Sequence, residues 1–386
     1  MFIFHPFWGL EYEDSYIYST VSRAININYN FGYDGLYTKY EVFGSLISGS
    51  ETSTISGHFI FFSLLLSVVN RLVGFHAENV LIVNSLLSLI TVYYSLKIFY
   101  LINISKYSLF GFGMVFSTTP FVCVYNTSGL SETFSSVFVV ISIYYAFKSK
   151  KENYTKLSSI AAYGFFICLS VFIKRDNLVL ISIPLLEILY AFYLKKGKQF
   201  KTKLLFIALF IFICIVVSNM VFNINRTVQD EMSDIGQNPF SFNFLKVIFP
   251  VFIKSLIKIQ FFSLVGLLFL VSVVFIRKIN SYLLLLLLIC IGYLLVYSMH
   301  YRSYYMVHGN FIPNTIDTFR YFTNFFSVLS IFSFGLISIG LRKLMRNQKM
   351  IFYFLLFAFI TLNIYLTALL RQDLSTIEYE ERFLPM

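Results

Sequence analysis

The sequence predicts an all-α, polytopic membrane protein with about 10 transmembrane helices and an interfacial helix in its first outer loop. Three observations carry this. Hydrophobic residues make up 58% of the 386-residue chain and charged residues only 13%, against about 25% charged in ordinary soluble domains. The apolar residues fall in runs near the roughly 20 residues with which a helix crosses a bilayer core. The 47 Phe and 28 Tyr suit lipid-facing surfaces and interfacial aromatic belts.

Taken in order, residues 1–77 form a first outer loop with short amphipathic stretches. Apolar runs follow at about 78–101, 107–126, 129–147, 157–174, 177–194, 203–222, 259–276, 281–299, 321–341 and 350–370. Residues 78–222 and 259–370 thus make two blocks of membrane helices, separated by an outer loop at 223–258 and followed by an outer tail at 371–386. A shorter apolar run, His58–Gly74, ends in Asn70-Arg71 and reads as an interfacial or re-entrant helix. Cys123, Cys168, Cys214 and Cys290 each sit in an apolar run without ligand-like spacing, so they read as packing residues.

Lys and Arg set the orientation. Five short connectors, 97–106, 148–156, 195–203, 277–280 and 342–349, hold 17 of the 30 basic residues and a single acid, Glu152. They alternate with acid-bearing connectors, so the basic ones are expected in the cytoplasm. The formal charge of +11 is therefore a topology signal, and no nucleic-acid partner is expected. This orientation puts residues 1–77 outside with no helix before Glu11, so either His58–Gly74 crosses, which would put the acidic stretch in the cytoplasm, or a first helix is missing from this reading frame, which is the favoured expectation.

Four places hold residues able to do chemistry. Glu11, Glu13 and Asp14 precede an amphipathic stretch, Ser15–Ile27; the dipole of such a helix keeps carboxylates at its start ionised, as a general base requires. Asp14 as a simple helix cap is the alternative. Glu132 enters an apolar helix, which is costly in a membrane and marks a functional candidate. Its alternative is a first-turn carboxylate that faces headgroups. Lys174-Arg175-Asp176 joins two helices at the outer face, where Arg offers a bidentate fork and Lys a point charge to a phosphate; an internal Lys174–Asp176 or Arg175–Asp176 pair is the alternative. The loop from His300 to Arg320, with Arg302, is polar, aromatic and basic. His58 and His76 have no partner at metal-ligand spacing.

These pieces resemble a known family. Glu13-Asp14-Ser15-Tyr16-Ile17-Tyr18 followed by Ser22-Arg23-Ala24 resembles the acidic motif after the first helix of GT-C type glycosyltransferases. Thr119-Pro120-Phe121 through Ser131-Glu132-Thr133, Tyr144-Tyr145-Ala146 and Ser170-Val171-Phe172-Ile173-Lys174 are similar to the middle of that group. The bacterial relatives of protein mannosyltransferases and the lipid A aminoarabinose transferases are the nearest in kind. The likeness extends over about residues 8–195 and loosens afterwards. In place of the basic, proline-rich stretch found before the second helix of many relatives, this chain has Ser56-Gly57-His58-Phe59.

The resemblance implies an inner-membrane glycosyltransferase of a bacterial cell. It would move a sugar from a polyprenyl-phosphate donor to a glycolipid, polysaccharide or protein acceptor on the outer face of the bilayer. Asp14, or its neighbour Glu13, would act as base; Lys174 and Arg175 would meet the donor phosphate, with Arg302 and Arg320 added by extrapolation. Glu132 and His58 are the substrate-binding candidates, and a divalent metal such as Mg2+ or Mn2+ is a possible cofactor. The alternatives are an O-antigen-type polymerase, a flippase for lipid-linked sugars or a secondary transporter, for which Glu187 is the acid well inside a run.

Overall fold

In the computed structural model the described residues are 57–74, 79–104, 106–119, 132–193, 268–299, 304–307, 310–313 and 323–340, with shorter pieces between 205 and 250 and between 353 and 368. The helices are α1 (Gly57–Val73), α2 (Asn79–Leu101), α3 (Lys106–Thr118), α4 (Glu132–Lys151), α5 (Leu157–Ile173), α6 (Ser182–Tyr193), α7 (Ser281–Met299), α8 (Thr323–Gly340) and α9 (Leu356–Tyr365). A 3-10 segment, Arg175–Ile181, joins α5 to α6. Two four-residue strands, β1 (Tyr304–Val307) and β2 (Asn310–Pro313), pair antiparallel between α7 and α8. Their register runs from Tyr304 opposite Pro313 to Val307 opposite Asn310.

Among the described residues three helices, α2, α7 and α8, are long and apolar enough to cross a membrane. Their faces agree with a lipid surround. On α2, Ile82, Leu86, Leu89, Tyr93 and Tyr100 are exposed, whereas Ser85, Ser88, Thr91 and Ser95 are buried. Each of those hydroxyls donates to the carbonyl four residues earlier, at 2.8 to 3.1 Å, so all four are satisfied within the helix. A stripe of small residues lets backbones approach closely where lipid supplies no hydrophobic force between helices. The same holds for α4, buried almost all round through Ser135, Ser136, Ser142, Ala146 and Ser149. That helix is the hub, packing most extensively on α5 and α2 and also on α8.

The run expected at 129–147 is the helix Glu132–Lys151, which runs on into the basic connector, and two other bounds differ from the expected ones at prolines. The run 177–194 was expected as one helix; it is a 3-10 segment that becomes α-helical only at Ser182. Pro184 accounts for this, because in a continuous helix its ring would strike the carbonyl of Leu180; as the third residue of α6 it meets no such obstacle. The run 107–126 leaves the helix after Thr118, and Thr119 precedes Pro120, which disfavours helical backbone in the residue before it. By contrast α7 starts as expected, because the side-chain oxygen of Asn280 accepts from the N–H groups of Tyr282 (3.1 Å) and Leu283 (2.9 Å), an N-cap.

The bundle has two unlike ends. Phe62 and Leu66 of α1, Val80 at the start of α2, Phe134 at the start of α4 and Ile173 at the end of α5 share one apolar cluster. Asn79, the first residue of α2, donates to Asn70 (2.6 Å) and to the Gly74 carbonyl (2.8 Å) of α1. Both halves of α1 therefore stay at this end, and the helix lies across the bundle instead of running its length. Gly74, with φ 87°, ends α1 in the left-handed conformation glycine adopts without strain. At the other end, α4 finishes in Lys148, Lys150 and Lys151. Twenty helical residues separate the two ends by about 30 Å, the thickness of a bilayer core.

Candidate functional site

At the first end three charged residues of both signs meet. Glu132 is in the first turn of α4, where the helix dipole favours its charge. Lys174 is the single extended residue (φ −152°, ψ 124°) between α5 and the 3-10 segment, and Asp176 is in the first turn of that segment. The Lys174 ammonium lies 3.8 Å from Glu132 Oε1 and 3.9 Å from Asp176 Oδ2. The three side chains are 16%, 6% and 21% exposed, respectively. Glu132 thus faces an inward cation and not lipid headgroups, which corrects the first-turn headgroup alternative. The internal Lys174–Asp176 pair is present, and it is shared with a third member.

A cluster like this is not explained by stability. Two charges about 4 Å apart gain about 4 kcal/mol at an effective dielectric of about 20, and the cost of taking them out of water offsets much of that. Intramembrane charges are retained mainly where something uses them.

Directly beneath lies a polar network that the sequence reading missed. Asn177, next to Asp176, donates to Ser135 Oγ at 3.0 Å and to the Ser170 carbonyl at 2.8 Å. Its Oδ1 accepts from Tyr293 Oη at 2.8 Å and from Asn324 Nδ2 at 2.9 Å. Asn324 also donates to Ser135 Oγ at 3.0 Å and accepts from Ser136 Oγ at 2.8 Å. All six residues are buried. The network fastens α4, α7, α8 and the end of α5 to the segment that carries Lys174 and Asp176. Close approach there depends on Gly292, where an added Cβ would lie 2.6 Å from Val179 Cγ1. The available signal was Asn324, an amide in the first turn of an otherwise apolar helix.

Two further expected residues belong to elements at this same end, without their side chains being described. Arg175 opens the 3-10 segment. His58 is in the first turn of α1, close in sequence to Phe61 and Phe62, whose rings meet those of Phe172 (6.4 Å) and Phe134 (5.6 Å). The C-terminus of α7 and the N-terminus of α8 are here, so the loop with Arg302 and Arg320 leaves and re-enters at this end. Those two arginines, and Glu13 and Asp14, lie outside the described residues, as do Cys123 and Cys214; Cys168 and Cys290 are buried free thiols. No group of three or more His, Cys, Asp or Glu able to hold a metal occurs among the described residues. Between Glu132 and Asp176 the ammonium of Lys174 takes the place a divalent ion would occupy, so these residues do not form a metal centre.

A second buried acid, Glu187 of α6, accepts from the Tyr163 hydroxyl at 3.4 Å. Tyr154 is buried with it and has φ 55°, a strained value for a bulky residue. Burial, and then the Glu187 charge, push the Tyr154 hydroxyl well above its ordinary value. This group belongs to the basic end, since Tyr154 follows α4.

No protein-family model, curated protein or solved structure matches the chain.

Proposed function

We propose that the chain is a membrane glycosyltransferase that takes its sugar from a polyprenyl phosphate, with about 10 spans and its site at the outer face. The observation that carries this reading is the meeting of Glu132, Lys174 and Asp176 in a buried ion cluster at the end of α4 opposite its basic end. In this reading Asp14, or Glu13, takes the proton of the acceptor hydroxyl. The hydroxyl oxygen forms a bond to the anomeric carbon, and the bond from that carbon to the lipid phosphate breaks. The leaving phosphate carries the negative charge away, and fixed cations stabilise it as it develops.

Lys174 is one such cation, anchored by the Asn177 network beneath it. Glu132 and Asp176 together outweigh its charge, so phosphate binding also draws on Arg175, Arg302 and Arg320, all carried on segments joined to this end. Glu132 is placed to accept from sugar hydroxyls once substrate enters. The bilayer supplies the donor, and a glycolipid, polysaccharide or protein accepts the sugar. The compartment that fits is the inner membrane of a bacterial cell.

The test is sugar transfer from a labelled polyprenyl-phosphate donor by membranes that carry Asp14→Asn or Glu13→Gln. At least one of these substitutions should abolish transfer with insertion unchanged. Full transfer by both would remove the base assignment. Movement of donor across the membrane without product formation would favour a flippase instead.

A further inference from the structure

The basic end of the bundle holds an open cavity of about 460 Å³ whose lining includes Lys97, Tyr100, Tyr144, Lys148, Lys151 and Glu152. Its volume falls in the range of ordinary small-molecule sites, about 300–1,000 Å³. Two packed helices build it. Lys148 and Lys151 are three apart on α4 and share a face, and Lys97 comes from the last turns of α2. The Lys97 ammonium lies over the ring of Tyr93 at 4.6 Å and that of Tyr144 at 5.7 Å. Lys151 donates to the Leu101 carbonyl at 3.3 Å, at the end of α2. These contacts hold the cations in place, and against the three lysines the lining sets one carboxylate, Glu152, which feels the charge of both Lys156 and Lys148.

None of the three lysines has a carboxylate within ion-pair distance among the described residues. The acid in the lining, Glu152, pairs with Lys156 at 3.2 Å instead. Lys150, the remaining lysine of this turn, lies over the Tyr282 ring at 5.2 Å and is not part of the lining. Three ammonium groups around one cavity repel each other, and an anion in the cavity relieves that repulsion. The cavity is also about one bilayer thickness from the Glu132 cluster, as the length of α4 requires. It therefore meets the opposite lipid surface, where basic pockets between helices receive phosphate headgroups.

We propose that Lys97, Lys148 and Lys151 form a binding site for a phosphate group, separate from the Glu132–Lys174–Asp176 cluster. An anionic phospholipid headgroup and a free phosphate share this chemistry. The site does not depend on the glycosyltransferase reading.

Native mass spectrometry of the full chain from detergent tests this, with phosphatidylglycerol, phosphatidylcholine and inorganic phosphate as probes. The wild type should retain phosphatidylglycerol in preference to phosphatidylcholine. Each lysine should contribute roughly fivefold in affinity, so Lys97→Gln, Lys148→Gln and Lys151→Gln together should lose on the order of a hundredfold. Displacement of the lipid by inorganic phosphate would identify the phosphate itself as sufficient. Failure of phosphate to displace it would identify the membrane lipid as the ligand. Lys148→Gln alone, which disturbs a ring contact with Tyr145 at 5.6 Å and the attraction of Glu152, provides a variant that keeps the fold. Unchanged lipid retention by a folded Lys148→Gln chain and by the triple variant, or no preference by the wild type for any of the three probes, would overturn the proposal.

Discussion

Replacing Asn177 by alanine should be among the most damaging single changes in the bundle. The side chain donates to Ser135 and to the Ser170 carbonyl and accepts from Tyr293 and Asn324. Hydrogen bonds inside membrane proteins average about 0.6 kcal/mol, so four are worth about 2 kcal/mol. The fully buried Tyr293 hydroxyl then loses its acceptor, which adds about 1–3 kcal/mol. The total for Asn177→Ala is about 3–5 kcal/mol. Tyr293→Phe alone removes one bond and leaves Asn177 Oδ1 still paired with Asn324, so it should cost only about 0.6–1.7 kcal/mol. In the Asn177→Ala chain, however, Tyr293→Phe removes a stranded hydroxyl and should cost nothing or restore stability. The assay is reversible unfolding in mixed micelles, read by helical circular dichroism, for the wild type, both single variants and the double variant. A coupling of about 1–3 kcal/mol is expected. Additivity within about 0.5 kcal/mol would refute the argument that these groups act as one network.

Two further outcomes follow from packing and from topology. Gly292→Ala drives a methyl group into Val179 and should cost about 1–3 kcal/mol in the same unfolding assay, with Val179→Ala in the same chain recovering most of it; equal stability of Gly292→Ala and wild type would show that the contact yields. A cysteine at exposed Thr155, beside the basic end, should react with an impermeant maleimide only after the membrane is opened. Labelling in intact cells would invert the orientation drawn from the lysines.

Much of this was legible from the sequence because membrane insertion imposes simple rules. Apolar length and basic connectors located α2, α7 and α8 within about 2–3 residues of the observed ends, boundaries being the least certain part of such a reading. Glu132 and Lys174 stood out because a charge next to an apolar run is conspicuous. Their meeting across 42 positions was not legible, since nothing local tells which of several loops at one face will touch. Asn177, Ser135, Tyr293 and Asn324 escaped for a related reason: each alone is an ordinary polar residue, and only the packing of α4, α7 and α8 makes them a network. The 3-10 segment was missed because hydropathy is blind to Pro184. Backbone sterics, which that residue does control, were the better guide.

The central claim is that the buried charges at the first end serve chemistry and not the fold. The most direct measurement compares transfer from a labelled polyprenyl-phosphate donor with the unfolding midpoint in one chain bearing Glu132→Met, Lys174→Met and Asp176→Leu. Removing Lys174 alone would leave two buried carboxylates facing each other, at about 3–5 kcal/mol, but neutralising all three members together is typically neutral or stabilising. The account predicts a triple variant with a midpoint at or above wild type and transfer reduced by about a hundredfold or more. Undiminished transfer at an unchanged midpoint would contradict it.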